Sequence, residues 1–153
     1  MNLNGTSIVA DSSGVTYITT LNTYNLSSDN ITTKFMVITS SGIKHSMTIN
    51  GMVERLVLGK DRLSNDILVV ICVIPGALSG NPSTVLYFIT LPFDQNIDPV
   101  SVKLTGEITS KPEFVSGTIE ITTRVVFGDK NNSTTSYLYV IDLQGSIISQ
   151  ISY

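Results

Sequence analysis

The stretch YLYVIDLQG (137–145) decides how the rest of the chain is read. Five large apolar residues run into Asp-Leu-Gln-Gly, the pattern of a β-strand entering a tight turn. Two other stretches have the same shape, FMVITSSG (35–42) and LYFITLPF (86–93). Their shared isoleucines, Ile38, Ile89 and Ile141, lie 51 and 52 residues apart. Working outward, a second β-rich run precedes each by about twenty residues: VTYITTL (15–21), ILVVICVI (67–74) and TIEITTRVVF (118–127). Shorter runs lie ahead of those, SIVA (7–10), RLVL (55–58) and EFV (113–115). Others follow the isoleucines, IKHSMTI (43–49), VSVKLT (100–105) and SIISQIS (146–152). Four strands thus recur three times, over residues 4–50, 51–107 and 108–153. Self-similarity at a fixed period of this length marks a repeat architecture.

The punctuation agrees. DSSG (11–14) and Ser116-Gly117 read as hairpin turns between first and second strands, and Gly42 and Gly145 join third to fourth. No stretch carries a capped 3.6-residue apolar stripe, so the expected class is all-β. The third strands are apolar almost throughout, and such strands need cover on both faces; a sheet stacked between two sheets supplies it. The middle unit departs from the pattern. Its first turn reads as expanded to GKDRLSND (59–66), its third, PFDQN (92–96), lacks glycine, and PGALSGNPS (75–83) lengthens another link. Such insertions mark either loops adapted to a contact or neutral drift.

The turn-strand-loop-strand pattern ending in LYVIDLQG resembles β-propeller blades of the quinoprotein-like and related families. The resemblance implies twisted four-stranded antiparallel sheets stacked about an axis. It is generic in its motifs: the chain has no Trp, so the docking tryptophans of those blades and the Trp-Asp pair of WD40 repeats are missing. No family function passes to any residue. The alternative is a β-trefoil, which also has twelve strands in three repeats and which the length favours, whereas strand character favours blades. Another sandwich or prism completes the set.

Composition limits the function. Charged residues are 14% against roughly 25% in an average soluble domain, and the net charge is −3 with no basic cluster. Neither nucleic acid nor anionic membrane is an expected partner. The beginning, MNLNGTSIVADSSG, shows no signal peptide, and no run reaches transmembrane length. The expectation is a cytosolic protein, or an excerpt of a longer secreted or particle-surface chain. Cys72, the single cysteine, lies in an apolar run and reads as a buried small apolar residue. His45, the single histidine, reads as facing solvent or satisfied locally.

No GxSxG, HExxH, Walker or Rossmann pattern occurs, and the acids do not recur at matching positions of the three units. GDKNNST (128–134) is rich in oxygen ligands but matches no calcium-loop spacing and reads as an Asx-rich turn. No catalytic residue, metal or cofactor is assigned; a propeller hydrolase fragment is the least favoured reading. The expected function is a non-enzymatic structural or protein-interaction domain, self-assembling or part of a larger surface or particle. An open arc of three blades would expose two apolar faces, to be covered by a second copy, another subunit or neighbouring repeats of a longer chain.

The other reading is a carbohydrate-binding module. The loops between second and third strands are rich in Asn and Ser, and Tyr24 is their one aromatic residue; a glycan array with Tyr24→Ala separates the readings. Asn-x-Ser/Thr glycan acceptors occur at Asn4, Asn25, Asn30, Asn131 and Asn132, while Pro82 excludes Asn81. In a blade-type ring these loops share one face with the links between units. The expected partner face therefore gathers Tyr24, Asn25, Asn30, Ser79, Asn81, Asp129 and Asn131, with Glu54, Arg55, Glu107 and Lys111 from the links. The opposite face, with Gly14, Gly42, Gly117 and Gly145, is expected to offer few side chains.

Overall fold

The computed structural model describes residues 7–25, 27, 30–76, 81–126 and 134–153. Among them there is no α-helix and there are thirteen strands. The first sheet contains β1 (Ser7–Ala10), β2 (Thr16–Asn25), β3 (Asn30–Thr39) and β4 (Gly42–Asn50). The middle sheet contains β5 (Met52–Lys60), β6 (Asp66–Ile74), β7 (Ser83–Thr90) and β8 (Val100–Thr105). The third contains β9 (Glu107–Ile108), β10 (Glu113–Val115), β11 (Thr118–Val126), β12 (Thr134–Asp142) and β13 (Ile147–Ser152). Pairing is antiparallel between chain neighbours, with one addition: β9 and β10 share one edge of β11. Thr109 N donates to Thr122 O between them. Pro112, which has no N–H to donate, sits just before β10 and accounts for the break. All twelve expected strands form, and β9 was not foreseen.

Ile38, Ile89 and Ile141 occupy the third strand of their sheets and pair with Thr16, Leu68 and Ile119 of the second. This correspondence defines two sides of each sheet. On one, here the front, stand the pairs Tyr17–Val37, Val69–Phe88 and Glu120–Val140. On the back stand Ile18–Met36, Val70–Tyr87 and Ile121–Tyr139. The front of the first sheet packs on the back of the middle one, where Tyr17, Phe35, Val37 and Ile49 meet Leu68, Val70, Cys72, Val85 and Ile89. The front of the middle sheet packs on the back of the third, where Val69, Ile71, Leu86 and Phe88 meet Ile119, Ile121, Tyr139 and Ile141. Strand β6 therefore sends alternate side chains into two apolar layers. Each fully buried Leu, Ile or Val contributes about 1.5–3 kcal/mol over an exposed one.

Two-sided cover, expected for every third strand, holds for β7 alone among the third strands. In β3 and β12 one side is buried and the other half-buried. The reason is position: among the described residues only the middle sheet has a neighbour on each side.

Glycine links connect the sheets. Gly51 and Gly106 have φ of +105° and +93°, a backbone that other residues adopt only under strain. Gly51 N donates to Ile31 O (2.7 Å) and Gly106 N to Pro82 O (3.0 Å). Their carbonyls accept from Thr33 Oγ1 (2.7 Å) and Thr84 Oγ1 (2.8 Å). A Cβ on Gly51 would lie 2.8 Å from Cys72 Cβ, and one on Gly106 would lie 2.9 Å from Thr123 Oγ1. The links thus touch the second strand of the sheet they lead into.

The first turn of the middle sheet is not expanded. Gly59 and Lys60 end β5, and Asp66 opens β6, with Lys60 Nζ 2.7 Å from its carboxylate. The five residues 61–65 repeat the turn at 11–15. Asp11 Oδ1 accepts from the backbone N–H of Ser13 (2.9 Å) and Val15 (3.1 Å). Asp61 Oδ1 accepts from Leu63 and Asn65 (both 2.9 Å). An acid therefore recurs in this turn in two of the three units, fifty residues apart, and organises it. Asp142 makes the same pair of bonds, to Gln144 and Ser146, in the β12–β13 turn.

Candidate interaction surfaces

The end of the sheets that bears the links holds part of the expected partner face. Asn25 and Asn30 pair across the top of β2 and β3, and Ser27 Oγ donates to Asn25 Oδ1 (2.8 Å). Tyr24 beside them is 42% exposed. Asn81 lines a separate hollow with Gly76, Ser83 and Lys103. Ser79, Asp129 and Asn131, like Asn4 and Asn132, lie outside the described residues.

Three of the four charged members are strand residues. Glu54 and Arg55 belong to β5, not to the link, because Gly51 alone makes the connection before Met52 begins the strand. Glu54 occupies a bulge between Val53 and Arg55. Glu107 lies in β9 opposite Arg124, and Lys111 lies between β9 and β10. Arg55 and Lys111 share a shallow hollow with Ser7 and Ile8 along the first strands. Among the described residues, Tyr24, Asn25 and Asn30 stand together, Asn81 lines its own hollow, and Arg55 and Lys111 share another.

The tight-turn end carries more side chain than its glycines suggest. The β7–β8 loop sets Phe93 against His45, ring centres 5.2 Å apart, and against Phe35 at 6.1 Å. Lys44, Leu91, Asp94 and Ile97 complete a recess around them. Arg62 packs against Gly117 where any side chain would collide with it. The loop lacking a turn glycine was the legible signal, since its longer course can carry a side chain back onto the first sheet.

Electrostatics at this end is structural. Burial opposes charge on Asp11, but bonds from Ser13, Tyr17 and Val15 outweigh it and hold the carboxyl below its ordinary range. Tyr17 Oη donates to Asp11 Oδ2 (2.8 Å), tying the turn to a ring buried beside Phe35. Burial first, then this bond and the charges of Asp11 and Asp66, push the Tyr17 hydroxyl far above its usual value. Asp61 is held low chiefly by the Asn65 N–H, against desolvation, with help from the Asn65 side chain, Leu63 and Lys60.

Chemistry that needs a reactive thiol is not at Cys72. It is fully buried between the first two sheets, and burial pushes its pKa up to about 12, so it stays protonated at neutral pH. Among the described residues no three His, Cys, Asp or Glu side chains gather as a metal site would require. No helix among them is long and apolar enough to cross a membrane.

Among the described residues, two sheet faces have no neighbour. The back of the first sheet presents Ile18, Met36 and Ile38 half-buried, with Ile8 and Ile43 at 67% and 65% exposure. Lys34 is the one ionisable residue at its strand positions. The front of the third sheet presents Leu138 and Val140 half-buried, Glu120 paired with Val140, Ile151 at 53% exposure, and Glu107, Glu113, Arg124 and Asp142 at further positions of the same side. No protein-family model, curated protein or solved structure matches the chain.

Proposed function

We propose that the protein is a non-enzymatic structural, protein-interaction domain whose three sheets are propeller-type blades and which assembles through its uncovered faces. One observation carries the reading: front-on-back stacking occurs twice within the chain, and the one front and one back left over both display apolar side chains. Pairing confined to each unit supports blades over a trefoil, because a trefoil barrel joins strands of different repeats. The 51- and 52-residue spacing of matching isoleucines supports a repeat. Exposed apolar faces of this kind favour association, since burying them against water is the main source of affinity. Light scattering coupled to gel filtration between about 1 and 50 µM tests it, a span covering ordinary oligomer affinities. The expected result is a species of at least two chains at the upper concentration. A chain-sized species throughout would overturn the assembly reading.

A further inference from the structure

The uncovered back of the first sheet and front of the third are complementary halves of one contact. We infer that they meet head to tail between two copies of this chain, so that the first sheet of each copy seats on the third sheet of the other. This deepens the proposed function and rests on it.

The occupant follows from the pattern of the two internal contacts. The pair Tyr17–Val37 lies in one layer with Val70, and Val69–Phe88 lies in one layer with Ile121–Tyr139. Continued by one step, the same relation sets Glu120–Val140 of one copy over Ile18–Met36 of the other. The layer so formed would contain Leu138, Val140 and Ile151 against Ile18, Met36 and Ile38, all of them apolar and half-buried or exposed, with the half-buried Glu120 beside Val140. Both sides therefore lose water-facing apolar surface on contact.

Charge selects the pairing. The back of the first sheet carries Lys34, whereas the front of the third carries four acids and one arginine. Back on back would oppose Lys34 with its own copy, and front on front would oppose Glu113 and Glu120 with theirs. Head-to-tail contact opposes a cation with a net-acidic face. Two copies related by a twofold axis make this contact twice and leave neither face open. The ring then holds six sheets, inside the usual range of about four to eight for propellers.

Cross-linking tests the contact separately from assembly itself. Met36→Cys and Val140→Cys replace half-buried residues on the two faces, and protonated Cys72 leaves a quiet background. A bis-maleimide spanning about 10 Å matches the spacing of stacked sheets. Mixed Met36→Cys and Val140→Cys chains should give a covalent dimer on a denaturing gel, and neither variant alone should. A dimer from one variant alone would show like faces meeting and overturn the inference. So would no cross-link from the mixture while light scattering still shows a dimer, with the same result from Ile38→Cys and Leu138→Cys as a second pair. A chain-sized species in light scattering overturns this inference together with the reading it rests on.

Discussion

Leu86 and Leu138 occupy matching places in β7 and β12, 52 residues apart, yet they live in different surroundings. Leu86 is fully buried between the middle and third sheets, while Leu138 is half-buried on an open face. The same residue in the same strand position has two fates because only one sheet has a neighbour on that side. Stability should therefore concentrate in the middle sheet, and the flanking sheets should owe less to their outer faces.

The largest test compares the two leucines directly. Leu86→Ala removes a side chain from a packed layer and should lower the unfolding free energy by about 3 kcal/mol. Leu138→Ala, measured by denaturant unfolding below the association range, should lower it by about 1 kcal/mol or less, because the site already meets water. Equal losses would break the comparison. A Leu138→Ala loss that grows with protein concentration would sharpen it, locating Leu138 at an interface.

Threonines of the first sheet offer a second contrast. Thr33 Oγ1 donates to Gly51 O at the link, whereas the equally buried Thr19 Oγ1 has no hydrogen-bond partner among the described residues. Thr33→Val leaves a carbonyl short of a donor and should cost about 1–2 kcal/mol. Thr19→Val removes a dehydrated hydroxyl at constant shape and should raise stability by about 1 kcal/mol. Opposite signs in parallel denaturant melts are the expected outcome. A loss for Thr19→Val would mean that the hydroxyl does have a partner.

Acid should show the smallest effect. Asp11 and Asp61 are held below their ordinary pKa in the folded chain. A carboxyl depressed on folding contributes stability that is present above its unfolded value, about 4, and lost as pH falls through the folded one. The melting temperature should therefore fall between about pH 5 and pH 3. Asp61→Asn keeps an acceptor oxygen for Leu63 and Asn65 but cannot titrate, so it should flatten part of that slope. An unchanged slope in both Asp61→Asn and Asp11→Asn would remove these turns from the acid response.

How much of this was legible depended on range along the chain. Alternation and β-branching are local, so all twelve expected strands could be placed from residues like Val69 and Tyr139. Turn glycines were legible for the same reason. The Asp61 turn was misread because its length depends on where β5 and β6 stop pairing, and Ser64 stands at φ +63° where glycine was sought. Glu54 and Arg55 looked like a link because Gly51 gave no local sign of turning the chain unaided. Phe93 over His45 had only the missing turn glycine as its signal, since the contact joins a loop to strand β4 almost fifty residues away.

By itself the sequence determined the strands and the burial of Cys72, because a run such as ILVVICVI can satisfy its backbone and hide its side chains only as an inner strand. Tertiary structure alone decided which side of each sheet would be covered. Alternation places Ile18 and Tyr17 on opposite sides but is symmetric between them, and nothing local says which side meets a neighbour. Across the Gly51 and Gly106 links each front packs onto the next back. The same choice leaves Ile18 and Val140 in the open.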